Sequence, residues 1–196
     1  MAEDLRTQKT KAQIKQTFIE LLLEKNFMKI TVRDITESAK IGRGTFYLHY
    51  QDKFDLLQSV MDEGTMSITN NVRPAYLFEG GKINPERVKG TILSVYSYFQ
   101  ENERFYRALL SNEGIPSFRQ RLQQQIIGKF YDEVHAVIPA NKNVDPITFE
   151  ILPQFISSGM LGLIGWWFEH DLQVPIEVIA RNVEQILTQL SSILLN

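Results

Sequence analysis

The chain has 196 residues, 43% of them apolar, which is enough for a packed helical body and too apolar for a disordered polymer. It contains no cysteine, which excludes disulfides, thiolate zinc sites and a cysteine nucleophile. The net charge of −2 divides unevenly along the chain, about +3 over residues 1–53 and −5 over the remainder, so a modest basic excess lies at the front.

In chain order, Ile14, Phe18, Leu21 and Leu22 recur at helical spacing and predict an amphipathic helix over 10–26. Thr31 can cap a second, short helix with Asp34 at the capping-box position, and Val32, Ile35 and Ala39 then share one face. A third helix is expected over 43–50 with Phe46 and Tyr50 inward, and a fourth begins at Lys53 behind Asp52. The segment 73–85, rich in Gly, Pro and Asn, reads as a boundary or loop. Helices resume over 85–100, 103–111 and 116–138. Two more span 146–169, where Pro153 should produce a kink, and 175–195, with Ile176, Ile179, Val183, Ile186, Leu187, Leu190 and Ile193 at heptad-like spacing. No strand, repeat or low-complexity segment is predicted, so the fold class is all-α.

The stretch 31–53, TVRDITESAKIGRGTFYLHYQDK, carries the functional signal. A short helix presented end-on can enter the major groove, where its first residues meet base edges while flanking hydroxyls and cations hold phosphates. Arg43 has the guanidinium fork to read guanine or grip a phosphate. Gly44 removes bulk where a backbone must approach DNA, Thr45 and Tyr47 offer hydroxyls, and His49, Lys53 and Arg33 can reach phosphates or bases nearby. The pattern of Thr31, Ile35, Ala39, Ile41, Gly44, Thr45, Phe46, Tyr47, Tyr50 and Lys53 resembles the helix-turn-helix of TetR-family transcriptional regulators. It departs from that pattern at Lys40, where the family usually has a turn glycine, and at Gly42, where a capping serine is common.

The resemblance implies a three-helix DNA-binding domain over 1–54 and a helical effector-binding and dimerisation domain over 55–196. It implies a homodimer on an approximately palindromic operator, repressing until an unidentified small-molecule effector or protein partner binds. The later half is similar to the dihydroxyacetone-kinase-regulator-like subgroup through the runs 105–110 (FYRALL) and 162–167 (GLIGWW). Gly159, Gly162 and Gly165 recur every three residues and suggest close helix approach, with the last two helices pairing across a dimer. Tyr106, Phe130, Gln154, Phe155 and Trp166 are candidates to line an effector pocket, with Glu150 and His135 as further polar groups.

No metal site or cofactor is expected, because the three histidines at 49, 135 and 170 lack ligand spacing. GRGTFY is no phosphate loop, since it lacks the downstream glycine and lysine and follows no strand. An enzyme is therefore not expected; the competing reading is a coregulator with weakened DNA binding that acts through a protein partner. The longest apolar run, 155–168, is short and glycine-rich for a bilayer span, so a cytoplasmic protein with no membrane partner is expected.

Overall fold

The computed structural model describes residues 2–80, 82–112, 114–115, 117–134 and 146–194. Nine α-helices account for most of them. These are α1 (Ala2–Glu24), α2 (Val32–Ser38), α3 (Arg43–Tyr47), α4 (Lys53–Asn71), α5 (Pro85–Glu101), α6 (Glu103–Ser111), α7 (Ser117–Val134), α8 (Pro146–Glu169) and α9 (Ile176–Leu194). The contacts divide the chain into two compact units, Met1–Gly64 with Glu103–Phe118, and Thr65–Asn102 with Arg119–Asn196.

In the first unit, the stripe read from α1 is buried as Ile14, Phe18, Leu21 and Leu22, together with Phe27, Ile30, Ile35, Phe46 and Tyr50. Edge-on rings lead from the buried Phe18 and Phe27 out to the exposed Phe54, with centroids 6.2 and 5.3 Å apart along the series. Helix α6 packs on α1 in the same unit. Helix α1 starts well before residue 10, because its first turns carry exposed Leu5, Arg6 and Lys9 and have no apolar stripe to reveal them.

In the second unit α5 packs on α9. Two short strands, β1 (Phe78–Glu79) and β2 (Lys82–Ile83), pair antiparallel with Phe78 opposite Ile83. They correct the strand-free expectation: two residues per strand are too few to alternate visibly, and the turn depends on Gly80 at φ +57°. Helix α8 runs through Pro153, whose nitrogen cannot donate to the carbonyl four residues back. The stretch Glu150–Glu169 is long and apolar enough to cross a membrane by length and composition, where the sequence reading took the run as too short. In the fold it places Leu161, Ile164, Trp167 and Phe168 in the core and leaves Ile151, Phe155 and Trp166 outward. The helix is apolar because both its faces are.

Candidate nucleic-acid interface and effector cavity

The helix-turn-helix is set by local hydrogen bonds. Thr31 Oγ1 accepts from Asp34 N (3.1 Å) while Asp34 Oδ2 accepts from Thr31 N (2.7 Å), the reciprocal capping box read from the sequence. Those bonds from Thr31, with Lys25 Nζ at 3.3 Å, hold the Asp34 carboxyl below its ordinary range. Helix α2 then ends in a Schellman turn, with Ile41 N donating to Thr36 O (3.0 Å) and Lys40 N to Glu37 O (3.2 Å). The left-handed position in that turn belongs to Lys40, at φ +53°, where glycine would be unstrained. Gln13 Nε2, from α1, donates to Ala39 O (2.7 Å) and anchors the turn, a role no periodicity reveals.

Gly42 starts α3 without a side-chain cap. Phe46 and Tyr50 are buried, with ring centroids 5.8 Å apart, and they fix the roll of the helix. Arg43, Gly44, Tyr47 and Leu48 are thereby turned outward, with Tyr47 56% and Leu48 81% exposed. A Cβ built on Gly44 meets nothing within 4 Å, so no packing inside the chain demands glycine there. Thr45 and His49 are half-buried beside this surface. Leu48, which the motif did not single out, is the most exposed large apolar side chain of this surface.

The remaining two expected contacts are differently engaged. Arg33 lies exposed on α2, its Nε 2.7 Å from Glu37 Oε1. Lys53 Nζ donates to Phe27 O (3.1 Å), Met28 O (3.1 Å) and Ile30 O (2.8 Å), and sits 4.7 Å from the Phe27 ring centroid. Its charge therefore goes to the carbonyls of the 3₁₀ turn Phe27–Lys29, which joins α1 to α2.

Asn112, just past α6, gives the same region a second anchor. Its amide donates to Leu22 O (2.8 Å) and Lys25 O (3.0 Å), and its Oδ1 accepts from Phe27 N (3.1 Å) and Gly114 N (3.0 Å). A Cβ on Gly114 would stand 2.7 Å from Asn26 Oδ1 and 3.0 Å from Phe27 Cβ, so glycine permits this approach.

A cavity of about 120 Å³ lies inside the second unit, walled by side chains of α4, α5, α7, α8 and α9 that include Ile68, Ile92, Phe99, Phe130, Leu161 and Leu187. Of the five pocket candidates the structure brings only Phe130 there. Tyr106 is buried in the first unit, where its hydroxyl donates to Gly64 O (3.1 Å). Gln154, Phe155 and Trp166 are exposed: at about 100° per residue Phe155 and Trp166 fall opposite Ile156, Ser157, Met160 and Ile164, which line the cavity, and Gln154 falls to one side of them. Trp166 instead stacks on His170, centroids 4.6 Å apart. Glu150 is exposed, and His135 lies outside the described residues. The three glycines separate as well, since a three-residue step turns about 60° away from itself. Gly159 and Gly162 open outward, whereas Gly165 is buried beside Arg119.

Comparison with known proteins places both parts. Residues 18–60 match the family described as bacterial regulatory proteins, tetR family, and residues 86–189 match the transcriptional regulator C-terminal region of that family. Among curated relatives, the Bacillus subtilis (strain 168) HTH-type transcriptional regulator YxbF is 22% identical over 91% of this chain and 44% of its own length. The Lactococcus lactis HTH-type dhaKLM operon transcriptional activator DhaS is 27% identical over 56% of this chain and 51% of its own. The chain thus spans about half the length of these curated relatives. The crystal structure of a TetR transcriptional regulator from Streptococcus agalactiae 2603V shares the fold, with a TM-score of 0.67, 24% identity and coverage of 96% of this chain and 98% of that one. The chain belongs to the TetR family of transcriptional regulators, DNA-binding proteins and not enzymes.

Proposed function

We propose that the protein is a homodimeric, effector-responsive repressor that binds an approximately palindromic operator in the cytoplasm. The outward set on α3, with Arg43, Gly44 and Tyr47 raised on a buried Phe46–Tyr50 base, is the observation that carries the DNA-binding part. Thr45, His49 and Arg33 flank it, while Lys53 serves by holding the 3₁₀ turn that orients α2 and α3. Operator occupancy alone blocks a promoter, which favours repression, although the relative DhaS is named an activator. Functionally we divide the chain into a DNA-binding part, 1–54, and an effector-binding and dimerising part, 55–196.

The outward apolar residues of α8 and α9 support the dimer. Ile151, Phe155 and Trp166 on α8 and Val178 and Ile186 on α9 form no part of the core of the single chain, and Gly159 and Gly162 leave room for a close helix. The test of DNA binding is selection of bound genomic fragments by the purified protein, followed by titration of the selected site. Arg43→Ala and Tyr47→Ala should each weaken specific binding by about 1–3 kcal/mol with folding intact. Unchanged affinity in both variants would shift the assignment to a coregulator acting through a protein partner. A reporter driven by the selected promoter fixes the sign of regulation.

A further inference from the structure

We propose that the cavity of the second unit takes an anionic amphiphile, with an apolar chain of about six carbons inside and a carboxylate or phosphate head at Arg73. The proposal rests on the reading of this unit as the effector-binding part and gives its ligand a chemical class.

The cavity walls present aliphatic and aromatic surface, and among the described residues the only polar residue types that border it are Arg73, Thr91 and Ser157. Ser157 is buried and already donates to Gln154 O (3.3 Å). At about 120 Å³, the space compares with apolar cavities of about 150 Å³ that stay dry and accept benzene. A polyol or sugar would lose its hydration there with nothing to replace it.

A second, open hollow of about 480 Å³ adjoins this cavity and differs in character, being lined by Asn70, Asn71, Tyr76, Thr91 and Ser94 together with Arg73. Arg73 and Thr91 line both spaces and mark their junction. No aspartate or glutamate lines either one, and no carboxylate pairs with the Arg73 guanidinium among the described residues. The neighbouring Arg87 lies 5.2 Å from the Tyr76 ring centroid but is paired with Glu79 at 2.9 Å. Arg73 is exposed and borders the hydrocarbon-lined space with its aliphatic part, so a guanidinium on the amide-lined side would orient the ligand, chain inward and anion outward. Arg73 follows the last turn of α4, whose end is fixed by Lys129 Nζ donating to Thr69 O and Val72 O. The head group is thus held at a defined point of the chain.

The test titrates hexanoate, hexyl phosphate, 1-hexanol and hexylamine into the full-length protein by calorimetry, in parallel with operator binding. One or both anions should bind at least about tenfold tighter than hexanol, and hexylamine should not compete. Affinity should rise about fourfold per methylene from butanoate to hexanoate and flatten beyond. Arg73→Ala should reduce the anions to the level of hexanol without changing hexanol itself, and Ile156→Trp, which fills the cavity, should abolish all binding. If Ile156→Trp does not fold, Arg73→Ala and the chain-length series still decide. Hexanol binding as tightly as both anions, an Arg73→Ala variant with unchanged anion affinity, or no binding by any probe would overturn the proposal. Hexanol that binds equally and releases operator would overturn the anionic head while leaving the effector reading intact. Arg73-dependent anion binding that leaves operator affinity unmoved would support the ligand site and sink the effector reading.

Discussion

Lys53 shows how one side chain changes meaning once its partners are visible. On sequence it is a cation beside a recognition helix; in the fold its ammonium joins three backbone carbonyls between residues 27 and 30. Lys53→Met should cost about 1–3 kcal/mol in urea unfolding, because those carbonyls lose a charged donor. The dependence of operator affinity on salt separates the two roles: a lost phosphate contact would lower the slope by about 1, whereas a lost positioning contact leaves it unchanged. Asp34 gives a second residue-scale expectation. Its folded-state pKa lies below the unfolded one, so its stabilising effect is complete above the unfolded value and lost as pH falls through the folded one. Acid unfolding below about pH 4 should therefore be less steep in Asp34→Asn than in the native protein, measured by circular dichroism, with the variant less stable at neutral pH. Parallel acid limbs would mean that the carboxylate is worth no more folded than unfolded.

Among the elements, the helices were legible as helices, α8 with its bounds included, but only those with one apolar face also showed which side is buried. The stripes of α1 and α2 and the Thr31–Asp34 box locate the helix-turn-helix because their outer faces are polar and the caps have their own residue types. Helix α8 offers no such contrast. Phe155 and Trp166 are as apolar as Leu161 and Ile164, and periodicity cannot say which pair faces the core, so the residues that line the cavity could not be picked out from it. Tyr106 and Phe130 look alike in sequence but belong to different compact units, a distinction made by long-range contacts. Gln13 acts through one hydrogen bond to a distant carbonyl and Asn112 through four to backbone groups, and neither leaves a pattern in the sequence. The outward face of α8 and α9 yields its own prediction. Phe155 is 62% and Ile186 56% exposed in the single chain, so Phe155→Lys or Ile186→Lys should leave folding within about 0.5 kcal/mol of the native protein. Sedimentation should nevertheless give monomers, since two lysines would be brought together at a two-fold apolar contact. Folded dimers in both variants would place the interface elsewhere.

At the scale of the whole molecule, regulation requires that effector and operator favour different states of the same chain. Helix α4 supplies covalent continuity, since Lys53–Gly64 belongs to one compact unit and Thr65–Asn71 to the other. Asn112 supplies a further link in sequence terms: it follows α6, a segment entered from and leaving to the second unit, and its side chain ties down the end of α1 and the 3₁₀ turn that precedes α2. In a dimer, the two recognition helices must meet half-sites one helical turn or a multiple apart, about 34–36 Å per turn, so a small change in headpiece geometry suffices to lose one of them. A coupling of about 1–3 kcal/mol makes a usable switch, and linkage demands that it be reciprocal. Effector affinity should therefore fall about 5–150-fold when saturating operator is present, by the same factor that effector lowers operator affinity. Asn112→Ala should reduce that factor in both titrations while leaving effector affinity without DNA unchanged, because the hydrogen bonds of its side chain among the described residues all lie within the first unit. Equal effector affinity with and without operator would reject allosteric control, and an Asn112→Ala variant with full coupling would return that side chain to a purely structural role.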